Sequence, residues 1–382
     1  MLVIGLMSGT SADGVDAALV DWPDGSEAHP YTLRAFRELP FGVELQERVH
    51  RLGAGRLPAP EVLREFASLD VLLAERFAEA AAGVAADAGV SLDDVRLIAC
   101  HGQTVAHHPE LHASLQIGDP SLIAERTGCT VVADFRPRDL AAGGEGAPLA
   151  PFFHLAVLGD PSESRVALNL GGIANLTWLP AGDPEAVIAF DVGPANALVD
   201  GVVQILSGGE EQMDRDGRRA LRGHADRVLL ARLMDDDYLA RRPPKSTGRE
   251  RYGRAEAEKL VAEWERRDPD DLLATLVVFT AESVGLACRN LLPDSPEIDR
   301  VLVGGGGARN PAVLAALVRA MPRTTVQAFD QVGVPADAAE AMAFSLMGRN
   351  ALLGIPNHLP QCTGAGRSAV LGELVPGRSG RI

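Results

Sequence analysis

Lysine is nearly missing from this chain of 382 residues. Of its 36 basic residues only Lys245 and Lys259 are lysine, and the other 34 are arginine. A GC-rich coding bias accounts for the imbalance, yet it is chemically useful, because any Schiff-base or phosphate-loop lysine must be one of these two. Basic charge is short as a whole: 36 Lys and Arg stand against 52 Asp and Glu, a formal charge of −16. A field of that sign repels a phosphate backbone and argues against nucleic acid as a partner, but it leaves room for a nucleotide in a local pocket. Cysteine is scarce too. Cys100, Cys129, Cys288 and Cys362 show no C-x-x-C spacing, so neither a zinc knuckle nor a redox pair is written. Residues 1–7 lack the basic start of a signal peptide, and with the scattered cysteines this predicts a cytoplasmic setting. The longest low-charge apolar run, 272–292, carries Glu282, Arg289, Asn290 and two threonines. It reads as a buried core helix, and no membrane partner is expected.

Several reaction signatures are absent as well. No G-x-S-x-G elbow occurs, which excludes the commonest serine hydrolase arrangement. Lys245-Ser246-Thr247 follows two prolines rather than the glycine frame of a P-loop, and Arg309 stands where the glycine run 304–307 would need a last glycine for a dinucleotide fingerprint. His101, His107 and His108 lie close together without obvious carboxylate partners; of these, His101 is the one expected in a pocket, beside Gln103 and Thr104.

What is present is an alternation of short apolar strands and polar, glycine-bounded turns. Residues 2–7 and 15–22 read as strands flanking the turn 8–14, a hairpin at the start of the chain. A helix is predicted over 60–86, where Leu63, Phe66, Leu69, Leu73 and Phe77 recur at helical spacing. Short buried strands follow over 96–100, ending at His101, and over 131–135, ending at Arg136 and Asp139. The second half repeats the opening: strands over 165–169 and 174–179 flank Gly171-Gly172, and a strand over 186–190 ends in Asp191. Residues 301–303 lead into the glycine run and then a helix from about Pro311. Strands that finish in glycine-rich loops and enter helices are an α/β signature, with ligands at the carboxyl ends of the strands. The polar segment 208–254 reads as a solvated helical insertion.

Two constellations carry chemistry. In 8–16, Ser-Gly-Thr-Ser-Ala-Asp-Gly-Val-Asp, two glycines free the backbone and three hydroxyls with the turn N–H groups suit phosphate oxygens, while Asp13 or Asp16 suits a hydrated Mg²⁺. The same residues also suit a plain hairpin turn. In 190–196, Phe-Asp-Val-Gly-Pro-Ala-Asn, Asp191 lies just past a strand, where a carboxylate serves either as a general base or as a helix cap.

Taken in order, these stretches resemble the anhydro-N-acetylmuramic acid kinase family, within the superfamily of sugar kinases, heat-shock ATPases and actin. The resemblance is carried by 5–16, by Cys100-His101-Gly102-Gln103-Thr104, and by Gln116-Ile117-Gly118-Asp119. It continues through Asp134-Phe135-Arg136 with Asp139, 146–149, 169–175, 244–250, 304–310 and 340–344, and so spans about 3–375. The chain departs from the family pattern at Val192 and Ala195, where the family has threonine and glycine, and this puts a local phosphate contact in doubt.

The resemblance implies two RNase H-like, actin-like ATPase domains of α/β class with an interdomain active-site cleft. The expected boundaries are 1–132 plus about 360–382 for the first domain and 133–359 for the second. It implies ATP and Mg²⁺ as cofactors, a homodimer, and the anhydro sugar as substrate, opened by water and phosphorylated on its 6-oxygen. Asp191 would be the base, and is expected to stay ionised without a large pKa adjustment. The nucleotide would meet Gly9, Thr10, Ser11, Ala12, Asp13, Gly14, Val15 and Asp16, then Asn169, Gly171, Gly172, Gly193, Gly304, Gly305 and Gly306, with Asp13 toward the metal. The sugar would meet His101, Gln103, Thr104, Arg136 and Glu340, with Arg136 on its lactyl carboxylate. Two rivals share much of this pattern: a kinase of an ordinary sugar or acetate oxygen, and a non-metabolic actin-like ATPase.

Overall fold

The computed structural model of the chain describes residues 1–293 and 297–378. The fold divides into two compact units, 1–157 together with the chain from 338 on, and 158–337.

The first unit is built on strands β1 (Leu2–Ser8), β2 (Gly14–Asp21), β3 (Thr32–Pro40), β4 (Leu97–His108), β5 (Ala113–Ile117) and β6 (Val131–Ala133). β1 pairs antiparallel with β2 and parallel with β4, β2 pairs antiparallel with β3, and β4 runs parallel to β6. The order 3-2-1-4-6 is that of an RNase H-like sheet. Strand alternation explains how both faces of β1 are covered. Ile4 and Leu6 pack with Leu69, Leu73 and Phe77 of the long helix Ala59–Asp87. Gly5, on the opposite face, lies so close to the helix Ala339–Leu353 that a Cβ there would stand 1.8 Å from Ala341 O.

The second unit holds β7 (Arg165–Leu170), β8 (Ile173–Leu179), β9 (Ile188–Pro194), β10 (Arg300–Gly304) and β11 (Thr325–Ala328) in the order β11-β10-β7-β8-β9. Here β8 is antiparallel to both neighbours while β10 is parallel to β7 and β11, so the 3-2-1-4-5 arrangement occurs a second time. The helix Pro269–Asn290, long and apolar enough to cross a membrane by length and composition, is instead the core of this unit. Leu272, Leu276, Phe279 and Val284 on it pack with Val166, Leu168, Val301 and Val303. Asp268 caps it by accepting from Asp270 N–H, with Pro269 in its first turn. The segment 208–254 does supply short helices to this unit. The chain then returns to the first unit, where β12 (Glu373–Val375) pairs antiparallel with β6.

The expected domain boundaries need correction at both ends, and the last four residues of the expected 360–382 segment lie outside the described residues. The first crossing falls at 157/158 rather than 132/133, and the return at 337/338 rather than 359/360. The cause of the second shift is the helix Ala339–Leu353. Its fully buried Arg349 donates to Ser26 O at 3.1 Å and Glu27 O at 2.8 Å, and its Gly348 lies where a Cβ would be 2.4 Å from Ala99 Cβ. Residues 135–153 stay with the first unit because Asp139 on the helix Phe135–Ala141 is tied to Thr363, Oγ1 to Oδ1 at 2.7 Å.

Strand ends differ too. β4 does not stop before His101 but continues to His108, because its second half leaves the parallel sheet and pairs with β5. β6 stops at Ala133, since Asp134 takes a left-handed φ of 55° and turns the chain into the helix carrying Arg136. Asp191 lies inside β9 rather than past it.

Candidate active site

The turn between β1 and β2 splits the nucleotide-facing expectation by burial. Ser8, Ala12 and Val15 are buried, Gly9, Gly14 and Asp16 half-buried, and only Thr10, Ser11 and Asp13 exposed. Ser8 Oγ sits 2.7 Å from both Gly14 O and Gln103 Oε1, and Gln103 Nε2 donates to Gly9 O at 3.0 Å. Ser11 O accepts from Gln46 Nε2 at 2.9 Å and lies 2.9 Å from His50 Nε2. The hairpin is thus braced from behind, which keeps Thr10, Ser11 and the glycine backbone presented to solvent.

Gln103, expected on the sugar, is buried, and its amide is taken up by this brace. Replacing it by leucine removes the side-chain bond to Gly9 O, which keeps Ala12 N–H at 3.1 Å. A loss of about 0.5–1.5 kcal/mol, that of one ordinary hydrogen bond, is expected, together with a raised KM for nucleotide. Thermal unfolding and nucleotide saturation curves check this, and an unchanged midpoint with unchanged KM would sink it.

On the same unit, His101 and Arg136 form one group. Arg136 Nε and Nη2 lie 3.1 and 2.9 Å from His101 Nε2, and Arg136 Nη1 donates to Gly146 O at 2.7 Å. His101 Nδ1 lies 2.9 Å from Gly102 O. An arginine cannot accept, so Nε2 is the acceptor and Nδ1 carries the proton. Burial, reinforced by the guanidinium, holds the His101 pKa well below its usual value, which keeps the ring neutral as this tautomer requires. Burial also brings Arg136 down to about 10, against the opposing pull of Glu340 and Asp139. It stays charged at neutral pH.

Among the described residues the five guanidinium N–H groups have acceptors only in His101 and Gly146, which leaves one hydrogen on each terminal nitrogen without an acceptor there. The group is supported from behind, where Asp139 Oδ2 accepts Gly146 N–H at 2.7 Å and Oδ1 accepts the Thr363 hydroxyl. Thr104, half-buried, accepts from Gln116 Nε2 at 3.1 Å, and Glu340 is solvent-accessible in the first turn of its helix. A cavity of about 210 Å³ lies beside His101, lined also by Asp70, Gln116, Asp119 and Asp134.

In the second unit the β7–β8 turn docks on a helix start. Gly171 O and Gly172 O accept from Asn196 N at 3.1 Å and Ala197 N at 3.0 Å, and Asn196 Nδ2 donates to Leu170 O at 2.8 Å. The glycine run is explained mostly by this packing. A Cβ at Gly304 would stand 2.5 Å from the Phe329 ring, at Gly305 2.3 Å from Asn169 Oδ1, and at Gly307 2.6 Å from Leu170 Cβ. Gly306 alone is exposed, with no such obstruction. Gly307→Ala is therefore expected to destabilise this unit by roughly 1–3 kcal/mol through overpacking, whereas Gly306→Ala should leave unfolding unchanged and show itself only in nucleotide binding. Denaturant melts of the two variants make the comparison.

Asp191 is held on every side. Asn175, opposite it on β8, donates to Oδ1, Thr247 N–H donates to Oδ2 at 3.0 Å, and Tyr238 Oη donates to Asp191 O at 2.8 Å. Burial pushes its carboxyl above the usual range, opposed by Thr247, Asn175 and Lys245 and aided by Glu250. No large adjustment was expected, and the shift found is an upward one with burial as its largest cause. Val192 and Ala195, the two departures from the family pattern, are buried in the apolar core of the unit.

Asn175, Tyr238 and Thr247, which hydrogen-bond Asp191, were not among the residues expected in the site. Asn175 and Thr247 lie in quoted motifs and could have been found there, but Tyr238 lies in a polar stretch with no signal. Burial also lifts the half-buried Asp200 carboxyl to about 6, opposed by Arg249 and aided by Asp214. Among the described residues no three His, Cys, Asp and Glu side chains converge as a metal site.

Comparison with known proteins adds the family. A family model described as anhydro-N-acetylmuramic acid kinase matches residues 1–377. Proteins named anhydro-N-acetylmuramic acid kinase align along nearly the whole chain. That from Gloeobacter violaceus is 44% identical over 98% of this chain and 98% of its own length, and that from Xanthomonas campestris is 44% identical over 98% and 97%. The one from Caldanaerobacter subterraneus is 38% identical over 98% and 96%.

Proposed function

The chain belongs to the anhydro-N-acetylmuramic acid kinase family, phosphotransferases with an alcohol acceptor, and from that premise we propose that it converts 1,6-anhydro-N-acetylmuramic acid, water and ATP into N-acetylmuramic acid 6-phosphate and ADP. Such a reaction serves recycling of cell-wall amino sugar. The observation that supports this reading most is the placement of Asp191, a half-buried carboxylate with both oxygens oriented by hydrogen-bond donors.

In this reading Asp191 takes a proton from water as the water oxygen bonds to the anomeric carbon. The bond from that carbon to the bridging 6-oxygen breaks with its electron pair going to oxygen, and the 6-oxygen attacks the γ-phosphorus while ADP leaves. Arg136 meets the lactyl carboxylate with its two uncommitted N–H groups, and Glu340 accepts from sugar hydroxyls. In the first unit the exposed hydroxyls and backbone of 9–11 suit phosphate oxygens; in the second, Gly306 and the β7–β8 turn offer backbone of the same kind.

Mg²⁺ would enter with the nucleotide. Asp13 is exposed and accepts the Ser11 hydroxyl at 2.9 Å, which suits a cation that keeps its waters and takes its remaining ligands from phosphate. When bound it offsets charge on the transferring group. A homodimer and a cytoplasmic location complete the proposal.

The test is incubation with ATP, Mg²⁺ and the anhydro sugar in ¹⁸O-water. The label is expected on the anomeric oxygen of the phosphorylated product. Phosphorylation without label would indicate a kinase of an ordinary hydroxyl, and sugar-independent ATP hydrolysis a non-metabolic ATPase.

A further inference from the structure

One lysine persists at a half-buried position in a chain whose other basic residues, Lys259 apart, are all arginine. The local geometry gives a reason. Lys245 Nζ lies 3.2 Å from Tyr238 O, 3.4 Å from Leu239 O and 3.5 Å from Val192 O. It also stands 4.4 Å from the centre of the Tyr238 ring and 5.7 Å from that of Phe190. Three carbonyls around one nitrogen match the three donors of an ammonium, and the ring faces favour its charge. A guanidinium is wider, and its donors lie in one plane, so it does not fit the same cage. Among the described residues Nζ forms no ion pair; Asp191 and Asp236 face it as anions and Arg241 as a cation. Its role is therefore not explained by a carboxylate partner.

The cage is made of the pieces that hold Asp191. Val192 follows it on β9. Tyr238, in the short helix Asp237–Ala240, offers its carbonyl and ring to the ammonium and its hydroxyl to Asp191 O. The backbone of Lys245 itself accepts Asp191 N–H at 3.3 Å, and two residues later Thr247 N–H reaches Asp191 Oδ2.

We propose that Lys245 is a positioning residue for Asp191, its ammonium stapling the 245–247 segment to β9 so that the Thr247 N–H and one positive charge are held toward the carboxylate. This rests on the reading of Asp191 as the base. Burial brings the Lys245 ammonium down to about 8, so the staple loses its charge under mildly alkaline conditions.

The experiment is the pH profile of kcat/KM for the anhydro sugar in full-length wild type, K245M and K245R, with D191N, thermal unfolding and ATP binding measured beside them. Wild type is expected to lose activity above about pH 8. K245M is expected to lose about tenfold in kcat with ATP affinity kept within twofold. Its acid limb should move up by roughly half to one pH unit, because losing a facing cation makes the carboxylate harder to ionise. The other groups facing Asp191, namely Glu250 and Tyr238, are unchanged in the variant. K245R is expected not to restore the profile.

A folded K245M with the wild-type acid limb, a K245R indistinguishable from wild type, or a wild type without the alkaline fall would each overturn the proposal. The last needs no variant to fold. D191N separates the two readings: if it retains turnover the base assignment fails, whereas an inactive D191N beside unaffected Lys245 variants removes the staple alone.

Discussion

Asp191→Asn is expected to lower kcat by about 10³-fold or more, within the span of a general base's contribution and the associated loss of charge, while ATP affinity stays within about twofold. The amide keeps the shape of the carboxylate, and Thr247 and Asn175 remain beside it, so a loss confined to kcat marks chemistry rather than folding. The pH profile carries the same information by sign. A base works only when ionised, and burial raises the pKa of this carboxyl. Activity in the wild type should therefore rise with pH through an acid limb lying above the ordinary aspartate value, and that limb should vanish in the residual activity of the variant. Steady-state kinetics with isothermal titration of ATP check both points. Retained turnover with lost nucleotide affinity would reverse the assignment.

Arg136→Ala is expected to raise KM for the anhydro sugar by about two orders of magnitude, the scale of a charge-assisted pair lost from a desolvated site. A sugar lacking the lactyl group should bind the wild type weakly and the variant no worse. The reason is the hydrogen-bond inventory of the guanidinium. His101 and Gly146 occupy three of its N–H groups and hold its plane, leaving one hydrogen on each terminal nitrogen for a carboxylate. Lysine at this position keeps the charge but loses the fork, so Arg136→Lys should recover only part of the loss. KM measured for both sugars and all three proteins decides the matter, and equal effects on the two sugars would refute the pairing.

Much of the fold was legible because its signals are local. Strand alternation and glycine turns located both hairpins, and the low-charge run over 272–292 was read as core rather than membrane span. Contacts between distant residues were not legible. Gln103 has the chemistry of a substrate ligand, and only the pairing of β1 with β4 shows that its amide also braces Ser8 and Gly9. His101 was expected past the end of a strand, because nothing before residue 113 announces that β5 will pair with the continuation of β4. The second boundary was misplaced because Ala341 and Arg349 are more than three hundred residues from their neighbours Gly5, Ser26 and Glu27, and only the folded chain joins them.

The sequence by itself determined the family and the α/β class, which are written in contiguous motifs, and it singled out Asp191 as a candidate. It also showed that lysine was nearly absent, without showing what the exceptional one does. Only the tertiary structure decided that the glycines at 304, 305 and 307 answer to neighbouring atoms, that Val192 and Ala195 belong to the core, and that Lys245 faces three carbonyls. The physical reason is common to these cases. Turn chemistry and hydrophobic period act between residues a few positions apart and leave a trace in order and spacing. Close packing and the pairing of buried polar groups act between residues that the folded backbone alone brings together.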